Sequence, residues 1–133
     1  MNYFLDTNIC VYCLNGKEPS VAKNLLLHTP HEIKIPSVVA AELIYGAKKS
    51  ANSLMNISKL KIFLRPFEIV PFDENAAECY GDVRTFLERS GKIISGNDMM
   101  IAATVLSRDG VLVTNNVKEF IRVGKLTLKN WVE

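Results

Sequence analysis

Three carboxylates stand alone inside otherwise uncharged stretches of this chain, and any fold it adopts must find a place for them. Asp6 is the only charged residue among the first 16, Glu42 the only one between Lys34 and Lys48, and Asp98 the only one between Lys92 and Arg108. An ionised carboxylate among apolar neighbours costs roughly several kcal/mol unless a cation or dense hydrogen bonding compensates it. No Lys or Arg lies within these stretches to do so. Three such placements in one small chain suggest convergence on a shared cation. The alternative is that each acid sits at a helix end and faces water, the usual place of a single Asp or Glu.

A length of 133 residues fits one domain, 1–133, with a sizeable core. At 48% hydrophobic and 23% charged, the composition is that of a soluble globular protein. The apolar runs are short and interrupted, so no membrane span is expected. The opening MNYFLDTN carries an acid where a signal peptide needs a basic segment, and a cytoplasmic location is expected. Net charge is +2, but Lys48, Lys49, Lys59, Lys61 and Arg65 lie between Glu42 and Glu68 with no acid among them. A local basic surface of this kind suits a polyanion; a solvated helical face is the alternative.

Three cysteines make an odd count, which argues against a disulfide framework. Cys10, Cys13, His28 and His31 spell C-x2-C-x14-H-x2-H, close to a zinc-finger spacing. Two residues between the histidines is too few, and ICVYCL is a hydrophobic helical stretch rather than a knuckle turn. Buried structural cysteines are the expectation.

Along the chain, residues 2–5 read as a short buried strand ending at Asp6, followed by an apolar helix over about 8–14 that Asn15-Gly16 stops. Pro19 suits the first turn of a helix reaching about residue 28. His31 to Ile35 reads as a second strand, and Pro36-Ser37 opens a helix through Glu42 to about Lys49. A further amphipathic helix over about 53–65 has Leu54, Ile57, Leu60, Ile62 and Leu64 as its apolar positions. Glu68 to Pro71 is a third strand, and Asp73 caps a long helix of about 74–89 ended by Gly91. Asn97 or Asp98 begins a helix over about 98–108, Val111 to Thr114 is a strand, a helical turn follows at about 117–122, and Leu126 to Leu128 adds an edge strand. Alternating strands and helices predict an α/β fold: a parallel sheet with helices on both faces.

In such sheets, sites form beyond the carboxyl ends of the strands. Asp6 follows the first strand directly, Asn115 and Asn116 follow the fourth, and Asp98 opens a helix at the same edge. Glu42, two turns into its helix, reaches that edge only if the helix leans over it. Three carboxylates and an amide oxygen are hard ligands suited to Mg²⁺ or Mn²⁺ rather than zinc. No glycine-rich cradle with a lysine is present, which excludes a P-loop NTPase, and the scattered glycines spell no dinucleotide fingerprint. Neither histidine neighbours a candidate nucleophile. A carboxylate-held magnesium site beside a basic surface suits phosphodiester cleavage, with one carboxylate available as general base.

The segments FLDTNICVY, VVAAELIYGAKKS, GNDMMIAA and LVTNNVKEFIRVGKLTLKNW together resemble the PIN-domain ribonucleases, and within them the VapC toxins of bacterial toxin–antitoxin pairs. They occur in family order and spacing over nearly the whole chain. The resemblance implies a three-layer α/β/α sandwich, with a central, mainly parallel sheet, and Mg²⁺-dependent endoribonuclease activity in which Mn²⁺ substitutes. Asp6, Glu42 and Asp98 match the family's acidic triad. Asp6 and Asp98 are then direct metal ligands, and Glu42 a water-mediated ligand or base. Asn116 stands where many PIN domains carry a fourth acid, which favours one metal over two. Thr7, Asn8 and Thr114 would brace the acids by hydrogen bonds, and Lys48 and Lys49 would contact RNA.

The same resemblance implies a homodimer, inhibition by a VapB-type antitoxin whose tail folds on binding, contact with operator DNA only through that antitoxin, and cleavage of tRNA in the anticodon loop. Two rival classes remain to be weighed. A non-catalytic PIN-like module that binds RNA or a partner would be favoured by loss of a triad acid, and all three are present. A phosphorylatable receiver-like domain needs a paired acid near the first strand and a Lys after the last; Asp6 has no acidic neighbour, and Thr114-Asn115-Asn116 is not followed by the expected Lys-Pro. A DNA nuclease stays open on the chemistry alone.

Overall fold

The computed structural model describes residues 1–133 throughout. Five short strands, β1 (Tyr3–Leu5), β2 (Ile33–Pro36), β3 (Glu68–Val70), β4 (Val111–Val113) and β5 (Thr127–Lys129), form one sheet in the order β3-β2-β1-β4-β5. Every neighbouring pair is parallel. A parallel strand covered on both faces must be apolar on both faces. Accordingly Phe4, Leu5, Ile33, Ile35, Val111, Leu112 and Val113 are all buried.

Seven helices cover the sheet: α1 (Thr7–Asn15), α2 (Pro19–Leu26), α3 (Ser37–Lys49), α4 (Ser53–Leu64), α5 (Glu74–Ser90), α6 (Gly96–Ser107) and α7 (Val117–Phe120). The helices α1 to α4 accompany the chain outward from β1 to β3, and α3 packs against α4 and α1. The α5–α6 pair then carries it back across the sheet to β4. The strand order therefore reverses between β1 and β4, and the carboxyl ends of those two strands flank the crevice where such sheets bind ligands.

Local chemistry sets the boundaries. Gly16 and Gly91 end α1 and α5 in the left-handed conformation that a side chain disfavours. Asp73 caps α5 through Ala76 N. Gly110 has no room for a side chain, because a Cβ there would collide with the Phe4 ring. In β2 the buried Lys34 sits directly opposite Glu68 of β3 and pairs with it at 2.9 Å. That pair draws the Glu68 carboxyl below the usual range, first through the Lys34 hydrogen bond and then through its charge.

Two boundaries and one buried face differ from the sequence reading. His31 and Glu32 belong to a 3-10 turn, Pro30–Glu32, rather than to the strand, because the Glu32 carboxylate reaches back to Thr29 N; β2 starts at Ile33. Ser95, not Asn97 or Asp98, caps α6, accepting from Asp98 N. In α4, Leu54 and Ile62 project into solvent at 87% and 62% exposure, and Leu60 and Leu64 alone are buried.

The zinc-finger spacing has no counterpart in space. Cys10 is buried in the core. The His28 ring stacks on Trp131 at 5.2 Å and lies 4.4 Å from Tyr3, anchoring the C-terminal segment.

Candidate active site

Asp6 sits where β1 becomes α1. Its backbone N–H donates to Val113 O at 2.9 Å, extending the β1–β4 ladder by one residue. Its side chain, only 5% exposed, caps α1. Thr7 N donates to Oδ1 at 2.8 Å and Thr114 Oγ1 to Oδ2 at 2.7 Å. The Thr114 hydroxyl is itself fixed by Asn116 N, which donates to it at 2.9 Å. Both features of the capping alternative and the site reading thus meet in one residue: Asp6 is a helix cap, and it is buried rather than facing water. Burial raises its carboxyl above the ordinary value, the two hydrogen bonds oppose this, and the Glu42 charge adds to it.

Glu42 reaches the same crevice from α3. Its Oε1 accepts from Thr7 Oγ1 at 2.7 Å, and its Oε2 lies 3.4 Å from Asn97 Nδ2 on α6. The helix therefore does lean over the sheet edge. Asp98 is the third residue of α6. Half-burial first, then the charge of Asp6, push its carboxyl up to about 6, with Glu119 and Glu42 adding and Ser95 opposing.

The cluster is short of positive charge. The only ion pairs in the chain are Lys34–Glu68, Arg84–Glu88 and Arg108–Asp73, none of which involves Asp6, Glu42 or Asp98. A buried Asp6 and a half-buried Asp98, each held up by neighbouring acid charge and neither in an ion pair, form an electrostatic deficit that a bound cation relieves. The donors are hard carboxylate and hydroxyl oxygens. No three acidic, His or Cys side chains close up as a ready-made cage.

The other candidate residues fall out as follows. Thr7 and Thr114 both donate to site carboxylates, whereas Asn8 is exposed and takes no part in these bonds. Asn116 contributes its backbone N–H, and its side chain makes no capping bond. Lys48 and Lys49 are exposed at the end of α3, with Lys49 Nζ 4.8 Å over the Tyr45 ring. A cavity of about 370 Å³ opens beside Thr7 and Glu42 and includes Lys59, not Lys48 or Lys49, in its lining. Glu119 escaped the sequence reading. It lies on α7 among other charges, so nothing in its sequence neighbourhood marks it, yet its charge bears on Asp98.

A parallel sheet carrying an acid cluster at its switch point defines the class, and the PIN domain family model matches residues 3–126. The chain is 48% identical over 132 residues to Ribonuclease VapC2 of Rickettsia felis, covering 98% of both chains. It is 37% identical over 131 residues to the tRNA(fMet)-specific endonuclease VapC of Shigella flexneri, again covering 98% of each. In structure it matches a chain of the Rickettsia felis VapBC2 complex bound to a promoter DNA fragment, with a TM-score of 0.91 at 45% identity over 98% of this chain and 99% of that one. A chain of the DNA-bound VapBC complex of Salmonella typhimurium gives 0.93 at 34% identity, covering 98% of each. The chain belongs to the PIN-domain family, among its VapC members. No helix is long and apolar enough to cross a membrane.

Proposed function

We propose that the protein is a divalent-metal-dependent endoribonuclease toxin that cuts tRNA within the anticodon loop and is neutralised by a VapB-type antitoxin. The observation that carries this reading is the charge deficit around Asp6, Glu42 and Asp98. Asp98 is pushed up to about 6 by burial and neighbouring acids with no cation to offset them. The ribonuclease names of the relatives support RNA as the substrate. The initiator-tRNA specificity named for the Shigella flexneri relative supports that tRNA as the first target to try.

Asp6 and Asp98 would hold the ion, Mg²⁺ or Mn²⁺, with Glu42 contributing through water. A bound ion supplies charge neutralisation at the scissile phosphate and lowers the pKa of attacking water. The remaining work falls to the chain. Thr114 and the Thr7 amide fix both oxygens of Asp6, so the ligand costs no reorganisation when the substrate arrives. Thr7 Oγ1 orients Glu42, leaving its Oε2 the freer oxygen to accept a proton from water. Asn116, neutral where the PIN-domain resemblance implies a fourth acid, adds no charge to the three carboxylates, which favours one ion over two. Homodimerisation, and operator DNA contact made only through the antitoxin, complete the proposal; the VapBC complexes that this chain resembles support the antitoxin partnership.

The test is incubation of antitoxin-free protein with initiator tRNA and with total tRNA in Mg²⁺, followed by mapping of the new ends. Cuts confined to anticodon loops and suppressed by a stoichiometric cognate antitoxin are expected. Folded, metal-loaded protein that binds RNA without cutting it would favour the non-catalytic binding module.

A further inference from the structure

A second basic feature shares no lining residue with the cavity that Lys59 lines. The loop after α5 and the segment running from α7 into the 3-10 turn Ile121–Val123 border a shallow, open cleft of about 460 Å³. It is lined by Gly91, Lys92, Ile93, Lys118, Ile121 and Arg122. Three cations line it and no acid does, and none of the three takes part in an ion pair. Arg122 is half-buried, and its Nη1 donates to Ile93 O at 3.3 Å, which ties the guanidinium across the two walls and leaves its other donors free. Ile93 and Ile121, 47% and 64% exposed, offer apolar surface beside the charges.

Both walls adjoin, in sequence, residues that bear on the site. The loop runs on to Ser95, which caps α6 three residues before Asp98. Lys118 adjoins Glu119, whose charge reaches Asp98. A polyanion brought to a cluster of carboxylates is repelled unless cations hold its neighbouring phosphates. An extended nucleic acid strand laid over the cluster would find those cations here, with the isoleucines under a sugar or base.

We propose that Lys92, Lys118 and Arg122 form a phosphate-binding cleft that holds the RNA strand on one side of the scissile bond, making them positioning residues for cleavage. The inference rests on the endoribonuclease reading for its function, and binding tests it apart from cleavage. Exposed Lys118 permits charge reversal without disturbing the core.

The experiment uses the full-length, antitoxin-free protein and a fluorescent anticodon stem-loop RNA. Anisotropy is read in EDTA over a salt series, and cleavage separately in Mg²⁺. The variants are Lys92→Ala, Lys118→Ala, Lys118→Glu, Arg122→Ala and Arg122→Lys, beside Lys23→Ala on exposed α2 as control. Each alanine variant should weaken binding about five- to tenfold and reduce the salt slope by about 0.7, the loss of one phosphate contact to a single strand. Lys118→Glu should weaken it further, Arg122→Lys less, and Lys23→Ala not at all. In Mg²⁺, KM should rise with kcat little changed. Folded variants with wild-type affinity and salt slope overturn the cleft, as does a change confined to self-association. Weakened binding in a protein that never cuts RNA would leave the cleft standing and remove the nuclease reading instead.

Discussion

Thr7 Oγ1 donates to Glu42 Oε1 at 2.7 Å, joining the first turn of α1 to the middle of α3 across the site. The same residue's amide donates to Asp6 Oδ1, so one threonine sets the relative placement of two site carboxylates. Replacing Thr7 by Val keeps the shape and the amide but frees Glu42. Activity on RNA is expected to fall roughly 10- to 100-fold, as for other partners of metal-site ligands. Stability should change by only about 0.5–1.5 kcal/mol. Thr7→Ser, which keeps the hydroxyl, should retain most activity; kcat/KM and urea midpoints for both variants check this.

Asp98 makes the metal-free fold pH-dependent in an identifiable direction. Its carboxyl stands at about 6 in the folded protein against an ordinary 3.8, so the folded state holds this proton more tightly than the unfolded chain. Its contribution to stability is full below pH 3.8, declines as pH rises through about 6, and is lost above that. In EDTA, Asp98→Asn should therefore melt higher than wild type at pH 7 to 8, the two converging in acid. Mg²⁺ should raise the melting temperature of wild type and leave Asp98→Asn nearly unmoved.

Thr114 and Asp6 are both buried, and their 2.7 Å bond is the best-shielded contact of the site. Thr114→Val removes the donor and strands a charged acceptor in the interior. A loss of about 1.5–3 kcal/mol is expected at pH 7, with less at acid pH where Asp6 takes up a proton. Denaturant melts at the two pH values measure it.

Cys10 and Cys13 are expected to bear no metal. Burial raises both thiols, to about 11 for Cys13, which keeps them protonated and inert. Cys13→Ser and Cys10→Ala should bind no less metal than wild type and cut RNA as well, Cys10→Ala at some cost in stability because Cys10 fills core space. Elemental analysis finding zinc in wild type and none in these variants would revive the finger-like spacing.

What could be seen in the sequence was what local chemistry decides. The isolation of Asp6, Glu42 and Asp98 marked them because solvation physics acts on each acid's own neighbours. The caps at Asp73 and Gly91 were visible for the same reason. Elements whose fate depends on tertiary packing were not. Leu54 and Ile62 follow the apolar pattern of α4 yet stay exposed, because only the Leu60–Leu64 side of that helix meets the core. Glu119 bears on Asp98 because the chain, leaving β4, returns to the sheet edge where α6 begins, a placement no spacing rule encodes. Lys34, a charge inside IKIP, becomes legible only when β3 sets Glu68 opposite it.

The most direct measurement is RNA cleavage by antitoxin-free protein in Mg²⁺, in EDTA, and in Mg²⁺ with Asp98→Asn, with folding of both proteins verified by circular dichroism. Discrete fragments from wild type in Mg²⁺ alone, absent from the other two reactions, are the predicted result. Equal cleavage in EDTA, or by Asp98→Asn, would contradict the assignment of the acid cluster as a metal-dependent nuclease centre.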